Sequence, residues 1–456
     1  MVMQTGHAVA GVGYLSTTQY DPLLKDVILP MIDSMIVETF SGYKYFKGKT
    51  DDPWEGSGTG RRLVGQLETE INGSFVALPE GASIPDAGRS AYQNWELWQK
   101  FAYAVMAVSG QILTQSKGNA IADAFTTETK GVVRKCVLEL QRMLWGNGTG
   151  VLCKCESFVA GPPKVVTIVP TYGSHFPTDT RHLLKGSRVM WGTEAQLAAA
   201  TLDLANAGYG YISLVNSSTT YTIVVTAGVD PAAADFFMMG QGTAPGLYQR
   251  SAGIYEGNEL MGLRGFGNIS GDAAATHNPS YLQGITGGTT TPDWNGQYLN
   301  LVDGANPTWT LTEDDLQRAT DISFNNTGTV PLTWLFTAAV NREIAKALLT
   351  DRRYVNKDSF KGGVGKNGLA FASTYGDAEL VIDRHAFPHE ITMIDPAYFW
   401  YSWSQPAGWW DLDGRILRMG STRKDEVEAL YRMYGNMGTR DRRRIFRLRD
   451  IAGAAI

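Results

Sequence analysis

Apolar residues recur at three-to-four spacing over 21–40, "DPLLKDVILPMIDSMIVETF", with Pro30 interrupting them, and the pattern predicts a short helix or two. A polar, glycine-rich joint follows, "KGKTDDPWEGSGTGRR". Over 63–108 the period changes to two. "QLETEINGSFVAL" alternates, "PEGASIPDAGRSAY" supplies turn residues, and "QNWELWQKFAYAVMAV" alternates again. This predicts a long two-stranded excursion with a Gly/Pro/Ser tip. A hairpin of that length is marginal alone in water and is expected to lie on something else.

The clearest helix is predicted over 119–146. Ile121, Phe125, Val132, Val133, Cys136, Val137, Leu140 and Leu144 cover one face, and "GNGTG" after Trp145 ends it. From about 162 to 266 the chain turns β-like. "PKVVTIVP", "SRVMWG", "GYGYISLVN" and "TYTIVVTAG" are short strands at regular spacing, with a short helix at "QLAAATLDLANAG". This predicts a small β-barrel set into a larger unit. Residues 271–300 are a Gly/Thr/Asn-rich loop.

"LTEDDLQRATDISFNN" opens with Thr312 and Asp315, a capping-box-like helix start. "LTWLFTAAV" predicts a buried strand, and "NREIAKALLTDRRY" a helix capped by Asn341. Strands resume at "AELVIDR" and "HEITMIDPAYFWYSW". The end is expected to form a long hairpin, "EVEALYRMYGNM" going out and "RDRRRIFRLRDIA" coming back.

With 456 residues, 43% of them hydrophobic, the chain can bury a real core, and its 51 glycines and 11% aromatics favour a sheet-rich or mixed fold. No apolar run approaches the roughly 18–20 residues that span a membrane, and the start lacks a signal-peptide pattern. The sequon at Asn72-Gly73-Ser74 is therefore idle. Three cysteines, Cys136, Cys153 and Cys155, suit neither a disulfide framework nor a zinc site, and are expected as reduced thiols in a cytoplasmic compartment.

Candidate chemistry is sparse. "KGGVGKNG" at 361–368 looks like a phosphate loop, but Asn367 and Gly368 stand where a hydroxyl would hold magnesium, and no helix pattern follows. His385 and His389 are four apart, as two zinc ligands on a helix would be, but Pro388 lies between them. No nucleophile elbow and no Cys/His pair appears. Trp400, Trp403, Trp409 and Trp410 cluster with other aromatics, as packing or interface residues do. No catalytic residue, cofactor or metal is expected.

The remaining signal is "RDRRRIFRLRD" over 440–450. The chain as a whole carries a net charge of -5, so this arginine cluster stands out. A disordered nucleic-acid arm would be polar throughout. Here Ile445, Phe446 and Leu448 interrupt it, and "RIFRLRD" predicts a strand. Arg443, Ile445, Arg447 and Arg449 share one face by the two-residue period, and Arg444, Phe446 and Leu448 the other. A basic face on a sheet is expected.

The order of elements resembles the major capsid protein of tailed double-stranded DNA phages, the Hong Kong 97 fold. "PLTWLFTAAVNREIAKALLTDRRYV" is like that family's strand and helix ending in D-x-R-Y, and "VEALYRMYGNMGTRDRRRIFRLRDI" is like its closing hairpin. The resemblance implies an α+β chain divided into an N-terminal arm (1–62) and an extended hairpin loop (63–105). A peripheral domain with spine helix (106–150), an apical domain (151–375, with 162–266 an inserted β subdomain) and a return to the peripheral domain with the closing hairpin (376–456) complete it. It implies a shell protein and not an enzyme: hexamers and pentamers of an icosahedral head in the virion, assembled in host cytoplasm. It further implies a separate scaffolding protein and a portal protein as partners, packaged double-stranded DNA held non-specifically on the inner face, and room for a cement protein. Arg442, Arg443, Arg444, Arg447 and Arg449, with Glu68, Glu70 and Arg89, are then the expected inter-subunit contacts, because arginine binds carboxylates bidentately. A nanocompartment shell of the same fold is the first alternative, and a nucleotide-binding enzyme using 361–368 the second.

Overall fold

The computed structural model describes residues 46–49, 54–57, 60–72, 74–80, 83, 86, 88–109, 118–169, 180–197, 203–240, 247–251, 254–257, 259–267, 281–282, 285–286, 294–301, 310–349, 371–411, 418–419 and 426–452. The helical pattern at 21–40 and the glycine loop at 361–368 lie outside the described residues.

The hairpin pairs Gly60–Glu70 with Ala91–Trp98, from Arg62 opposite Trp98 out to Glu70 opposite Ala91. Alternation puts Leu63, Trp95 and Leu97 on the buried face. Beyond Glu70 the chain forms an exposed tip. Asn72 pins it, donating from Nδ2 to the Gly88 carbonyl (3.0 Å) and accepting from the Ser74 N–H (3.0 Å). The second alternating stretch is not one strand. After Gln99 a separate strand, Lys100–Ser109, leaves the hairpin and pairs antiparallel with Glu426–Thr439.

That pairing builds a five-stranded sheet with Lys47–Lys49, Phe399–Trp409 and Arg418–Met419. The long helix Gly118–Leu144 covers it, burying Val133, Val137, Leu140 and Leu144 at helical spacing. Thr129 Oγ1 reaches Met106 Sδ on the sheet at 3.3 Å. Trp400, Trp403 and Trp409 fill this core, so the tryptophan cluster is packing.

A closed six-stranded barrel follows. It opens earlier than expected, at Val151, because Val151–Val159 pairs with both Lys164–Ile168 and Phe236–Met239 and so closes the ring. Its filling, Cys153, Val166, Trp191, Tyr221 and Phe237, is separate from the main core. Among the described residues the barrel ends at Met239, and Leu260, Leu263 and Phe266 already belong to the main core. The short helix there is one turn, Glu194–Leu197.

A six-stranded mixed sheet takes the rest, in the order Gln297–Asn300, Ile445–Arg449, Ile391–Ile394, Thr333–Phe336, Gly376–Ile382, Phe371–Ser373. One face holds Trp334, Phe336, Ile391, Met393, Phe446 and Leu448 against helices Glu313–Thr327 and Ala338–Leu349. The first helix has the capping box expected of Thr312 and Asp315. The second begins earlier than expected. Thr337 Oγ1 accepts from the Val340 N–H at 3.3 Å, and Asn341 lies inside the helix.

The closing hairpin is not formed. Glu426–Thr439 belongs to the large sheet and Ile445–Arg449 to the mixed sheet, with a 3-10 turn at Arg442–Arg444 between them. The turn carries the chain from one sheet to the other, so the two strands have different neighbours. The segments expected as apical and as return share one mixed sheet.

Candidate functional site

The arginine turn sits where the two sheets meet. Asp441 caps it, accepting from the Arg443 N–H at 3.0 Å, and its carboxylate also takes the Nε of Arg443 and of Arg444, each at 3.1 Å. Arg444 lies with its guanidinium 4.5 Å from the Tyr398 ring centre.

Arg442 points inward and is 0% exposed. It donates to the carbonyls of Phe266 (2.8 Å), Gly265 (3.2 Å) and Trp294 (3.4 Å), tying two distant segments to the turn. Burial pushes its guanidinium down to about 9, which leaves it charged at neutral pH.

The two-residue period makes Arg443, Ile445, Arg447 and Arg449 one basic face of a sheet, expected to be open to carboxylates of a neighbour. The strand is there, but that face is covered, and this corrects the expectation. Arg447 is 1% exposed and ion-pairs with Glu390 of the same chain at 2.6 Å. The main chain at Gly267 lies so close that a Cβ there would overlap the Arg447 side chain. Arg449 is buried as well. Burial alone would raise the Glu390 carboxyl, but Arg447, then Arg264 and Arg449, hold it below the usual carboxylate range. Arg442, Arg447 and Arg449 are therefore internal to the chain, and of the five arginines expected as contacts Arg443, with 31% of its side chain exposed, reaches solvent most. The missed signal is Glu390, an acid just before the strand Ile391–Ile394 that pairs with Ile445–Arg449, 57 positions earlier in the chain than Arg447.

The hairpin presents the opposite character. Glu68, Glu70 and Arg89 are exposed along it. At its tip Phe75 is 96% exposed and Ile71 84%, with Val76 and Leu78 exposed beside them. At its base Arg62 pairs with Glu96 at 2.5 Å. The strand Lys100–Ser109 adds a second apolar surface. Phe101, Tyr103 and Val105 are exposed on one face, and Phe101 meets Tyr434 edge-on at 5.1 Å.

The other candidates have structural partners. His389 Nδ1 lies 2.8 Å from the Ile451 carbonyl, whereas His385 packs against His182, so the two histidines four apart do not converge. Among the described residues no three His, Cys, Asp or Glu side chains converge on a metal position. Burial pushes the thiols of Cys136 and Cys153 up to about 12 and that of Cys155 up to about 11, so all three are protonated near neutral pH.

No protein-family model matches the sequence, and no curated protein does. Solved structures do match over at least nine-tenths of the chain. The capsid asymmetric unit of cyanophage A-1(L) is 8% identical, with 92% of each chain covered and a TM-score of 0.47. The capsid of a native GTA particle is 8% identical, with 90% of each chain covered and a TM-score of 0.41. Mycobacterium phage Patience is 11% identical, with 97% of this chain and 91% of that chain covered and a TM-score of 0.39.

Proposed function

We propose that this chain is a shell-forming structural protein, the major capsid protein of a tailed double-stranded DNA phage. The observation that carries the reading is the hairpin tip. Ile71, Phe75, Val76 and Leu78 are exposed together, on a loop that Asn72 holds in shape. An ordered apolar projection on a chain of net charge -5 has a physical purpose when a neighbour covers it. A further apolar row, Phe101, Tyr103 and Val105, lies open on the large sheet. Many modest contacts of this kind sum by multivalency into a closed shell.

In this reading the chain forms hexamers and pentamers of an icosahedral head, and is not an enzyme. A separate scaffolding protein, a portal, packaged DNA and a cement protein are its partners. Glu68, Glu70, Arg89, Arg443 and Arg444 are its polar inter-subunit contacts. Stability without covalent links follows from the hairpin chemistry, because 62–99 contains no lysine to act as an amine nucleophile.

Replacing 71–89 with a short Gly-Ser turn tests the reading. The shortened chain is expected to keep its far-UV circular dichroism and to give no shells by negative-stain microscopy, whereas the full chain with its scaffold gives shells. Shells of normal size from the shortened chain would refute the role of the tip. Nuclease-resistant DNA inside the particles separates a phage head from a nanocompartment.

A further inference from the structure

The segment 180–187 leads into the barrel strand Arg188–Gly192, and the loop 383–389 joins two strands of the mixed sheet, Gly376–Ile382 and Ile391–Ile394. They meet at two histidines. His182 is 7% exposed, and its ring centre lies 5.7 Å from that of His385 at an interplanar angle of 31°. Both His182 ring nitrogens and Nδ1 of His385 are buried and make no hydrogen bond of normal geometry. His182 also packs on Phe387 (6.2 Å), which meets Trp145 at the end of the long helix edge-on at 6.1 Å.

We propose that the seat of the barrel on the body of the subunit is an acid-released clasp, closed by the neutral imidazoles of His182 and His385 and opened when they take up protons.

The surroundings decide the direction. Among the described residues, the cations around the pair are Arg181, Arg384, Arg142 and Arg264. Arg181 donates to the carbonyls of Ala386 (2.7 Å) and Arg384 (3.3 Å), and Arg264 sits 4.0 Å from the Phe387 ring centre. Among the described residues, the acid that faces the pair is Asp383, whose Oδ1 already accepts from the His385 N–H at 2.8 Å, while Arg142 is itself paired with Glu139 and Glu259. Two adjacent imidazolium rings beside the guanidinium groups of Arg181 and Arg384 would repel one another and those cations, with their nitrogens unsolvated.

Burial holds His182 well below the ordinary imidazole range. His385 and then Arg181 and Arg142 push it the same way, and the main chain at His385 opposes them without prevailing. Burial also lowers His385, which Asp383 opposes and Arg384 and Arg181 reinforce. Both groups titrate lower in the closed state than in the open one. The closed seat is thus fully favoured above about pH 6.5 and loses stability as pH falls from there through the closed-state values.

Opening need not unfold either part. The barrel has its own filling, distinct from the main core. Among the described residues, Lys135 Nζ ties the long helix to Ser187 Oγ at 2.7 Å, and Lys135 is partly exposed. The inference does not depend on shell formation, so the experiment uses the unassembled full-length subunit.

Amide hydrogen exchange at pH 7.5, 6.0 and 5.0, corrected for intrinsic rates, reads the clasp directly. Protection in 180–187 and 383–389 is expected to fall tenfold or more between pH 7.5 and 5.0, while barrel strands at 208–228 and the helix at 128–144 keep theirs. The double variant His182→Phe/His385→Phe, which stacks without titrating, is expected to stay protected at pH 5.0. Should it fail to fold by circular dichroism, His385→Gln is judged by the same criterion. Unchanged wild-type protection at pH 5.0 overturns the proposal. So does loss of protection throughout the chain, which is global acid unfolding, or opening of the variant in parallel with the wild type, which assigns the effect to carboxylates.

Discussion

Arg442 shows what a single buried cation does in this subunit. Its guanidinium serves three carbonyls on two segments, Gly265 and Phe266 on one and Trp294 on the other. Arg442→Ala leaves those acceptors unpaired around a cavity, and is expected to cost about 3 kcal/mol or more in urea unfolding. Arg442→Lys is expected to recover little, because one ammonium does not span the fork geometry. A second residue-scale device is a glycine facing a tryptophan across paired strands: Gly65 opposite Trp95, Gly435 opposite Trp403 and Gly208 opposite Trp191. In each case a Cβ on the glycine would overlap the indole. Gly65→Ala is therefore expected to cost about 1–3 kcal/mol in the wild type and much less in a Trp95→Ala background, a coupling that a double-mutant cycle measures. Additive costs would mean that the indole does not need the space.

At the scale of the element, helix starts separate what local chemistry decides from what it does not. Thr312 and Asp315 were legible as a capping box, because both partners lie within four residues, and the box is formed. Thr312→Ala is expected to lower stability by about 1 kcal/mol in thermal or urea melts. The next helix begins at Ala338, not at the Asn341 that looked like its cap, because Thr337 ends the buried strand Thr333–Phe336 and already offers a hydroxyl to Val340. Thr337→Ala should thus cost about 1 kcal/mol, whereas Asn341→Ala should be neutral or mildly stabilising. The reverse order would restore Asn341 as the cap. The tip of the hairpin makes the same point about turns. Asn72, unremarkable in sequence except as a sequon, organises the loop through bonds to Ser74 and to Gly88, the second of them 16 positions away.

At the scale of the whole molecule, the arginine strand divides into internal and external members. Glu390→Ala strands Arg447 in the interior, and is expected to destabilise the subunit by about 3–5 kcal/mol. Arg443→Ala is expected to leave the melting temperature within about 2 °C of wild type, a surface-sized change, and to lower shell yield. If Arg443→Ala assembles normally and only DNA retention falls, the residue is a nucleic-acid contact and not a subunit contact. The measurements are a thermal melt of the subunit and particle counts by microscopy.

Patterns that depend on near neighbours were set by the sequence itself: the long helix, the alternating hairpin, the barrel strands, the capping box, and the two-residue period that places Arg443, Ile445, Arg447 and Arg449 on one face. Helical and strand periods arise from backbone geometry, so a few consecutive residues suffice to reveal them. Only the tertiary structure decided where those elements went. The Gly265–Gly267 backbone and Glu390 close over the arginine face from up to 180 positions away, and so convert an expected binding surface into part of the core. The last two strands, adjacent in sequence and alternating like a hairpin, part company because each finds better neighbours in a different sheet. The contact of His182 with His385 spans 203 positions, the separation of Arg181 from Arg384 beside them. Burial and pairing are properties of what comes near in space, and period and capping are properties of what comes next in the chain.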